Sequence, residues 1–578
     1  MTRTAPAPKL STTTAADATP KRKESARDLV EQVVVAFILA FLIRGFEAEA
    51  FVIPTGSMAP TLYGQHKEVT CPECGEVFAA NTAHETEKNP VTAASCPNCF
   101  YRVKNLAETP SFKGDRILVM KFLYNLPSWL GGKLPARWDV VVFHFPEEPE
   151  TNYIKRLVGL PGELIRVYFG DILVKKSDGD QPFQIARKSL PQQQAMQQAV
   201  WDDGHRPKAF ASHPEWDRWK SAGGGWAEPS KGTFKAAAGD WADLGYSHLV
   251  PEPRQWEAAF ANKPIPGAPR PTLITDLYGY NSATDKEHRD DDPRWYQPHW
   301  VGDLTVSFRV KAAQGKGGKL RIDLVEGGVA HRCAIDLETG DAILSRDGKA
   351  IGDLAATAVR ADGRSRAIAF ANVDNRLTLW VDGATPFGDG VTYETDLDKH
   401  LAPTAADLKP VTIGVKGGEV EVSDLVLKRD IYYTGGPGSL DYTDSDLARP
   451  RANDEDDYFR EIFDLLSDPA KFPMLGGLRA KEYAVGIGRY FMMGDNSPAS
   501  SDSRHWGHKD ADGDFQKRVD PWAARDFRAT WEVPESHLIG KAFFIYWPHG
   551  VPFWPHVPIT RDFLFPFRPY VERMKWIR

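Results

Sequence analysis

A surplus of basic residues is the first feature that this sequence of 578 residues lacks. Its 71 Lys and Arg are outnumbered by 78 Asp and Glu, which leaves a formal net charge of −7. Proteins that bind nucleic acid concentrate positive charge against the phosphates, so this balance argues against a nucleic-acid partner. No histidine stands in a sequence context that suggests a Ser-His-Asp triad. A hydrolase built from this chain would therefore need a different base.

Long apolar runs are also scarce, because only residues 29–46 form one. As a helix, this run would be roughly 27 Å long, which is close to the hydrocarbon thickness of a bilayer. Basic residues precede it and acidic residues follow it, which predicts a single-pass protein of the cell (inner) membrane, with residues 1–28 as a disordered cytoplasmic tail and later residues outside the cytoplasm. A cleaved signal sequence and a buried core helix are the alternatives. No small-x-small cleavage site precedes Glu47 to favour the first of them.

Cysteine is rare, and four of the five cysteines form one pattern. Cys71 and Cys74 make a CxxC pair, Cys96 and Cys99 make another, and 21 residues separate the two pairs. This spacing is typical of two zinc knuckles that hold one ion between four thiolates. Disulfides, which an extracytoplasmic compartment favours, and a rubredoxin-like iron or redox site are the alternatives. Because four Cys ligands leave no open position, we predict a structural zinc in an insert at 69–107 and no cofactor for catalysis.

A turn of small residues holds the candidate nucleophile. In residues 51–65 (FVIPTGSMAPTLYGQ), a β-rich run ends at Pro54, and the Gly-Ser step that follows exposes the Ser57 hydroxyl at a sharp turn. A turn serine without chemistry is the common alternative. The best base is Lys155, in the apolar strand pattern of residues 151–163, because burial there can lower the pKa of a lysine by several units and leave the amine neutral.

Four motifs follow one another along the chain, and they identify a family. They are residues 54–62 (PTGSMAPTL), 114–121 (GDRILVMK), 153–163 (YIKRLVGLPGE) and 494–504 (GDNSPASSDSR). Together they resemble the signature motifs of bacterial type I signal peptidases (leader peptidases). The resemblance covers about the first third of the chain and its last hundred residues, so it says nothing direct about the middle.

The resemblance implies a role for each matched residue of the site. Ser57 would be the nucleophile and Lys155 the general base of a Ser/Lys dyad. The Ser57 backbone N–H and the Thr55 hydroxyl would stabilise the oxyanion. At the position of Thr55, the family usually has Ser or Gly. Ser500 would form a hydrogen bond with Lys155.

The last motif would brace this dyad, since by resemblance Asp502 and Arg504 form an ion pair within its loop. Ser497 and Pro498 replace the charged pair that is usual in the family. An extended substrate is expected to add to neighbouring strands, beside two shallow apolar pockets for small side chains. The predicted substrate-binding residues are Phe51, Ile53, Pro54, Met58, Leu62, Val142, Asn152, Tyr153 and Ile154.

The fold class expected from short, alternating, β-branched segments is mainly β. By resemblance the catalytic part is an antiparallel signal-peptidase-type β domain. To it the sequence patterns add one N-terminal transmembrane helix, an inserted zinc-ribbon-like knuckle, which departs from the minimal family pattern, and an inserted β-sandwich. The predicted segments are a tail at 1–28, the transmembrane helix at 29–46, catalytic parts at 47–68, 108–185 and 435–578, the knuckle at 69–107, an irregular Trp/Gly/Pro-rich insert at 186–302 and the sandwich at 303–434.

The middle of the chain is less informative. Strand patterns and tight turns in residues 303–434 resemble a concanavalin-like (laminin-G-like) jelly roll, which leaves open a glycan or envelope ligand, a docking role or a spacer. A helix is predicted at 191–202 within the irregular insert, and an amphipathic helix at 454–467. Aspartates 290–292 lack the alternating ligand pattern of a calcium loop, so a solvated loop is the better interpretation.

The predicted function is removal of signal peptides from exported preproteins at the outer face of the membrane. The expected partners are those signal peptides, the lipid bilayer and the protein-translocation machinery. Another Ser/Lys protease, such as a self-cleaving SOS-response repressor, is one alternative, although no DNA-binding amino-terminal domain is evident. A non-catalytic membrane receptor for an envelope polymer, with a vestigial dyad, is the other.

Overall fold

A computed structural model of the chain divides into two compact units, Met1–Glu49 and Ala50–Arg578. In the first unit, residues 30–35 are helical. The remainder of the predicted transmembrane segment lies outside the described residues, and no helix among the described residues is long and apolar enough to cross a membrane. The described residues are 30–35, 48–124, 129, 132–285, 299–397, 401–435, 462–475, 480–506, 531–552, 558–560, 563–564 and 567–578.

A seven-stranded sheet, called the main sheet below, carries the candidate site. Its strands in spatial order are Ala48–Val52, Arg116–Met120, Leu538–Trp547, Val140–His144, Asn152–Gly159, Arg489–Met493 and Val533–Pro534. The β-branched run Val140–His144 suits a strand that is buried on both faces. Val140 and Val142 pack into one apolar core, whereas Val141 and Phe143 pack into another. The mainly β, antiparallel fold expected from the sequence is therefore confirmed.

A smaller four-stranded sheet continues from the main sheet. Its strands in order are Gln184–Ile185, Asp171–Lys176, Glu163–Tyr168 and Lys481–Ala484. The helix that follows begins at Leu190, where the Gln192 side chain accepts from the Ser189 backbone N–H at 3.1 Å.

This helix is shorter than the sequence pattern indicates. It spans Leu190–Met196, and Gln198–Asp202 forms a strand, so the prediction of a helix over 191–202 was wrong in its second half. The strand pairs with residues far along the chain, Gln198 with Arg429 and Asp202 with Val426. These distant partners override the local helical periodicity.

Two large antiparallel sheets, which we call the sandwich, share one apolar core. The eight-stranded sheet contains Trp226–Ser230, Thr233–Ala237, Glu419–Arg429, Leu304–Ala312, Ser365–Asn372, Arg376–Val381 and Val391–Thr392, with Gln198–Asp202 also paired to Glu419–Arg429. The seven-stranded sheet contains Trp219–Ala222, Ala242–Tyr246, Val411–Lys416, Lys319–Glu326, Val329–Asp336, Asp341–Arg346 and Lys349–Ala356.

The sandwich begins earlier than its predicted boundary. Strands between residues 198 and 246, placed by the sequence analysis in an irregular insert, complete both of its sheets. Phe234, for example, pairs with Val422 and Leu244 pairs with Ile413. These strands are short, and three of them pair with partners well over a hundred residues away, so local patterning did not reveal them.

The knuckle region consists of two three-stranded sheets. One contains Val77–Asn81, His66–Thr70 and Ser111–Phe112, and the other contains Thr284–Asp285, Val91–Ser95 and Arg102–Val103. The helix Pro253–Phe260 contributes Trp256 and Ala259 to the apolar core beside the cysteines. The predicted irregular insert thus packs on the knuckle as well as completing the sandwich.

The remaining described elements are short. Residues 462–466 are helical, and their buried side chains pack with Leu273 and Trp300 of the insert. The first part of the helix predicted at 454–467, and the aspartates at 290–292, lie outside the described residues. The C-terminal hairpins pair Gly550–Pro552 with Phe567–Pro569 and Pro558–Thr560 with Phe563–Leu564. The 3-10 turns are Gly56–Met58, Leu106–Glu108, Phe122–Tyr124, Lys208–Phe210, Pro214–Trp216, Gly279–Ser282, Ala405–Leu408, Pro469–Leu475, Ser497–Ala499, Glu535–His537 and Val571–Arg573.

Candidate active site

The predicted nucleophile lies in the short turn Gly56–Met58, just beyond the edge strand of the main sheet. Two glycines permit the close packing of this turn. A Cβ at Gly64 would lie 2.2 Å from the Thr55 carbonyl carbon, and a Cβ at Gly56 would lie 2.2 Å from Tyr280 Cε1. Larger residues at either position would push the turn away from its supports.

Ser57 and Lys155 are in direct contact. Lys155 lies in the central strand Asn152–Gly159, opposite Val141, and its Nζ donates to Ser57 Oγ at 2.6 Å. The two residues are 4 % and 8 % exposed, respectively. When the amine is neutral, the same contact lets Nζ accept the hydroxyl proton, which is the arrangement that activation of a serine requires.

The environment of Lys155 favours the neutral amine. Burial lowers the pKa of Lys155 to about 8, and the nearby Arg504 charge acts in the same direction, while Asp502 and Asp495 oppose it. A lysine with this pKa is neutral in roughly a tenth of molecules at pH 7. An exposed lysine would be neutral far less often.

The loop of the last motif is held by a buried ion pair. Arg504 donates from Nε to Asp502 Oδ1 at 2.8 Å and from Nη2 to Oδ2 at 2.6 Å. Arg504 Nη1 also donates to the Ser497 hydroxyl at 2.8 Å and to the Thr434 carbonyl at 2.8 Å. Burial opposes ionisation of Asp502, but Arg504 outweighs it and holds the pKa of this carboxyl below its ordinary value. Ser497, which replaces a charged residue of the family pattern, thus takes part in the same network.

Ser500 lies in the site without the hydrogen bond predicted for it. The residue is 2 % exposed, and its Oγ has no hydrogen-bond partner among the described residues, so the bond to Lys155 is not formed here. A Cβ at Gly494 would lie 2.3 Å from Ser500 Oγ and 2.4 Å from the Ser57 carbonyl oxygen. Ser500 is therefore packed beside the dyad, with Gly494 between them.

A second buried ion pair lies next to the dyad, and sequence reasoning missed it. Arg156 donates from Nε to Asp495 Oδ1 and from Nη2 to Oδ2, both at 2.6 Å, and both side chains are fully buried. Thr61 also donates to Asp495. Both partners stand in the quoted motifs, directly after Lys155 and Gly494, so adjacency to motif residues was the available signal.

Residues of the central insert support the nucleophile turn from behind. Asn281 and Asn496 exchange two side-chain hydrogen bonds, at 2.7 and 2.8 Å. Asn496 in turn donates from Nδ2 to the Gly56 carbonyl at 3.0 Å and from its backbone N–H to the Ser57 carbonyl at 3.1 Å. Tyr280 stacks on Tyr63, with ring centroids 5.3 Å apart. No sequence pattern linked the insert to the site.

The predicted substrate-binding residues divide into two groups. Ile53, Met58, Leu62 and Val142 are buried in the apolar core beneath the site, so they support the surface and do not line it in this structure. The others retain access to solvent: Phe51, Pro54, Asn152, Tyr153 and Ile154.

The four cysteines of the CxxC pairs come together as predicted from their spacing. All four are buried, and their sulfurs lie within 4.8 Å of one another. The Cys71–Cys99 and Cys74–Cys96 sulfur separations are both 3.6 Å, which is too long for a disulfide. Four thiolates at about 2.3 Å from one tetrahedral zinc would be roughly 3.8 Å apart. The donor set and its spacing therefore fit zinc.

The two knuckles share one local geometry. The residue after each CxxC has a positive φ, 79° at Gly75 and 67° at Phe100. Its backbone N–H donates to the carbonyl of the first cysteine of its pair, Gly75 to Cys71 and Phe100 to Cys96, both at 2.9 Å. The same turn built twice brings the two sulfur pairs into one cluster.

Comparison with known proteins finds the same family that the four motifs resemble. The family model "Signal peptidase, peptidase S26" matches residues 97–209 and 408–547. Signal peptidase I of Pseudomonas aeruginosa is 32% identical over 173 residues, which are 28% of this chain and 43% of that protein. Signal peptidase I of Pseudomonas fluorescens is 48% identical over 59 residues, which are 9% of this chain and 21% of that protein.

The chain is similar to the peptidase S26 family over the two segments that the family model matches. The predicted resemblance is thus confirmed, with a large insertion between the two matched segments. The matched segments contain Lys155 and the motif at 494–504, while Ser57 precedes the first of them.

Coverage limits what these relatives say about the whole chain. The chain spans less than half the length of these two relatives. Among solved structures, a carbohydrate-binding module, CBM66 from Bacillus subtilis, aligns over 36% of this chain and 95% of its own, at 8% identity and a TM-score of 0.22. That score is too low to support an inference about the insertion.

Proposed function

We propose that this protein is a membrane-anchored serine endopeptidase that removes signal peptides from exported preproteins, with Ser57 as nucleophile and Lys155 as general base. The observation that carries the proposal is the 2.6 Å contact between Lys155 Nζ and Ser57 Oγ, from a lysine that is 4 % exposed. The match to the S26 family model supports the reaction class. The apolar run at 29–46 supports the anchor.

The proposed reaction proceeds through an acyl-enzyme. Neutral Lys155 takes the hydroxyl proton as Ser57 Oγ attacks the carbonyl carbon of the last signal-peptide residue. The protonated amine then gives this proton to the leaving nitrogen, and the C–N bond breaks. Water, deprotonated by the same amine, attacks the ester. The ammonium then returns this proton to Ser57 Oγ as the acyl C–O bond breaks, which restores the neutral amine and the serine. The Ser57 N–H and the Thr55 hydroxyl would stabilise the oxyanion in each step.

The substrate would lie in extended form along the edge residues of the site. Asn152 and Pro54 are exposed, and Phe51, Tyr153 and Ile154 are partly exposed, so an added strand could contact all five. Met58 and Leu62 are fully buried beneath this surface, so the pockets above them would be shallow, which favours small side chains such as Ala.

A cleavage assay tests this function against its alternatives. We expect the purified full chain in detergent to cut a preprotein once, after a small residue, as read by mass spectrometry of the products. The same preprotein with Arg in place of that small residue is the control and should stay intact. Binding of an envelope glycan on an array, with no peptide cleavage, would favour the receptor instead. Self-cleavage without action on a preprotein would favour another Ser/Lys protease.

The depressed pKa of Lys155 predicts a pH dependence. Burial lowers this pKa from its ordinary value to about 8, and the base must be unprotonated, so kcat/KM should rise roughly tenfold per pH unit below about 8 and level off above it. The measurement is peptide cleavage from pH 6 to pH 10, with thermal unfolding followed over the same range as a control for the fold. A profile that is flat between about pH 7 and pH 9 would contradict the role of Lys155.

We also infer that the four clustered cysteines hold a structural zinc, which makes a metal-content prediction. The full chain should contain one zinc per molecule by elemental analysis, and Cys96→Ser should lose it together with several °C of thermal stability. Cys333→Ser is the matched control, because Cys333 is also fully buried but lies in the sandwich core. Equal zinc content in both variants would contradict the assignment.

A further inference from the structure

Three aspartates cluster between the small four-stranded sheet and the sandwich, and Lys188 joins a fourth, Asp430, to one of them. Asp171 begins a strand of that sheet, and Asp303, Asp374 and Asp430 stand next to ends of sandwich strands. One carboxylate oxygen from each of Asp171, Asp303 and Asp374 lies within 4.8 Å of the other two. Such separations are those of oxygens that share one ion at 2.3–2.6 Å.

The positive charge beside this cluster is insufficient to balance it. Lys188 donates to Asp374 Oδ1 at 2.9 Å and to Asp430 Oδ2 at 2.7 Å. Within the described residues, no ion pair reaches Asp171 or Asp303. The cluster therefore favours an additional cation.

A cavity of about 330 Å³ adjoins the cluster and is lined by Asp171, Asp303 and Asp430, among other residues. Asp430 is only 3 % exposed, yet its Oδ1 has no hydrogen-bond partner in the described part of the chain. A buried carboxylate oxygen without a partner is costly. This oxygen is not one of the three clustered oxygens, so its missing partner is a second indication that the cavity holds a ligand.

We propose that the cluster of Asp171, Asp303 and Asp374 binds a calcium ion beside this cavity, with Asp430 as a further oxygen donor. Calcium accepts six to eight oxygen ligands in irregular geometry, and the cavity leaves room for waters to complete the shell. The absence of Cys and His from the clustered trio disfavours zinc. Because Asp171 comes from the small sheet and the other two come from the sandwich, the ion would fix these parts to each other.

Calorimetric titration of Ca²⁺ into the purified full chain tests the proposal. It is done in the Ser57→Ala background, with zinc present throughout, so that neither peptidase activity nor the cysteine cluster affects the result. We expect one site per chain with a Kd below about 1 mM. Asp171→Asn and Asp303→Asn should each weaken binding at least about tenfold. Asp353→Asn is the control, because Asp353 is exposed on a sandwich strand away from the cluster, and it should bind as the parent does.

Two results would overturn the proposal: no binding up to about 10 mM Ca²⁺, or binding that both cluster variants leave unchanged. Should these variants fail to fold, Lys188→Met decides the matter, since it removes the ammonium that repels the ion. Tighter Ca²⁺ binding by Lys188→Met supports the site, and unchanged or lost binding refutes it. The outcome is separable from that of the proposed peptidase function, because no cleavage is measured.

Discussion

Lys155→Ala and Ser57→Ala are each expected to lower the rate of preprotein cleavage by at least about 10³-fold. The Lys155 amine is the one basic group in hydrogen-bond contact with Ser57 Oγ among the described residues, at 2.6 Å. Without it the hydroxyl keeps its proton and remains a poor nucleophile. Without the hydroxyl no acyl-enzyme can form.

The measurement is single-turnover cleavage of a preprotein by purified enzyme in detergent. The double variant should be no slower than either single variant, because the two side chains act as one unit. Lys176→Ala is the matched lysine control, since Lys176 is exposed at the end of the strand Asp171–Lys176, and it should cleave at the parental rate. Retention of substantial cleavage by either dyad variant would refute the proposed mechanism.

Arg156→Met is expected to destabilise the protein by about 3–5 kcal/mol, because it leaves the Asp495 carboxylate buried without its partner. Both side chains of this pair are fully buried, and two hydrogen bonds of 2.6 Å join them. Since Asp495 follows Gly494, which packs against the Ser57 carbonyl, cleavage activity should fall as well. Denaturant unfolding and the cleavage assay measure the two effects.

Arg166→Met is the matched control for that variant. Arg166 also lies in a β-strand and pairs with Glu482 at 2.7 Å, but those side chains are 18% and 41% exposed. Loss of a pair at the surface should cost about 1 kcal/mol or less. A loss for Arg156→Met as small as that for Arg166→Met would show that the buried pair does not support the site.

The central insertion takes part in building the site. Tyr280 packs against Gly56, and Asn281 exchanges hydrogen bonds with Asn496. Asn496 also donates to the carbonyls of Gly56 and Ser57. These contacts place insert residues directly behind the nucleophile turn. A substitution in the insert can therefore shift the Ser57 turn, because insert side chains pack against it and form hydrogen bonds that support it.

Local sequence accounts for the chemistry of the candidate site. The Gly-Ser turn, the lysine on an apolar strand and the CxxC pairs each carry residue types and spacings that only a few functions require, so the dyad and the cysteine cluster could be anticipated. The strands from Leu304 to Arg429 followed from alternating β-branched residues and tight turns. The family follows from the order of four short motifs.

Long-range pairing decided what local patterns left open. Gln198–Asp202 is a strand because it pairs with the strand Glu419–Arg429, and Arg156 is an ion-pair partner because folding buries it against Asp495. The aspartate cluster likewise joins residues from separate parts of the chain. Hydrogen bonds and ion pairs between residues that are distant in sequence depend on which surfaces are buried together. The periodicity of a short segment does not contain that information.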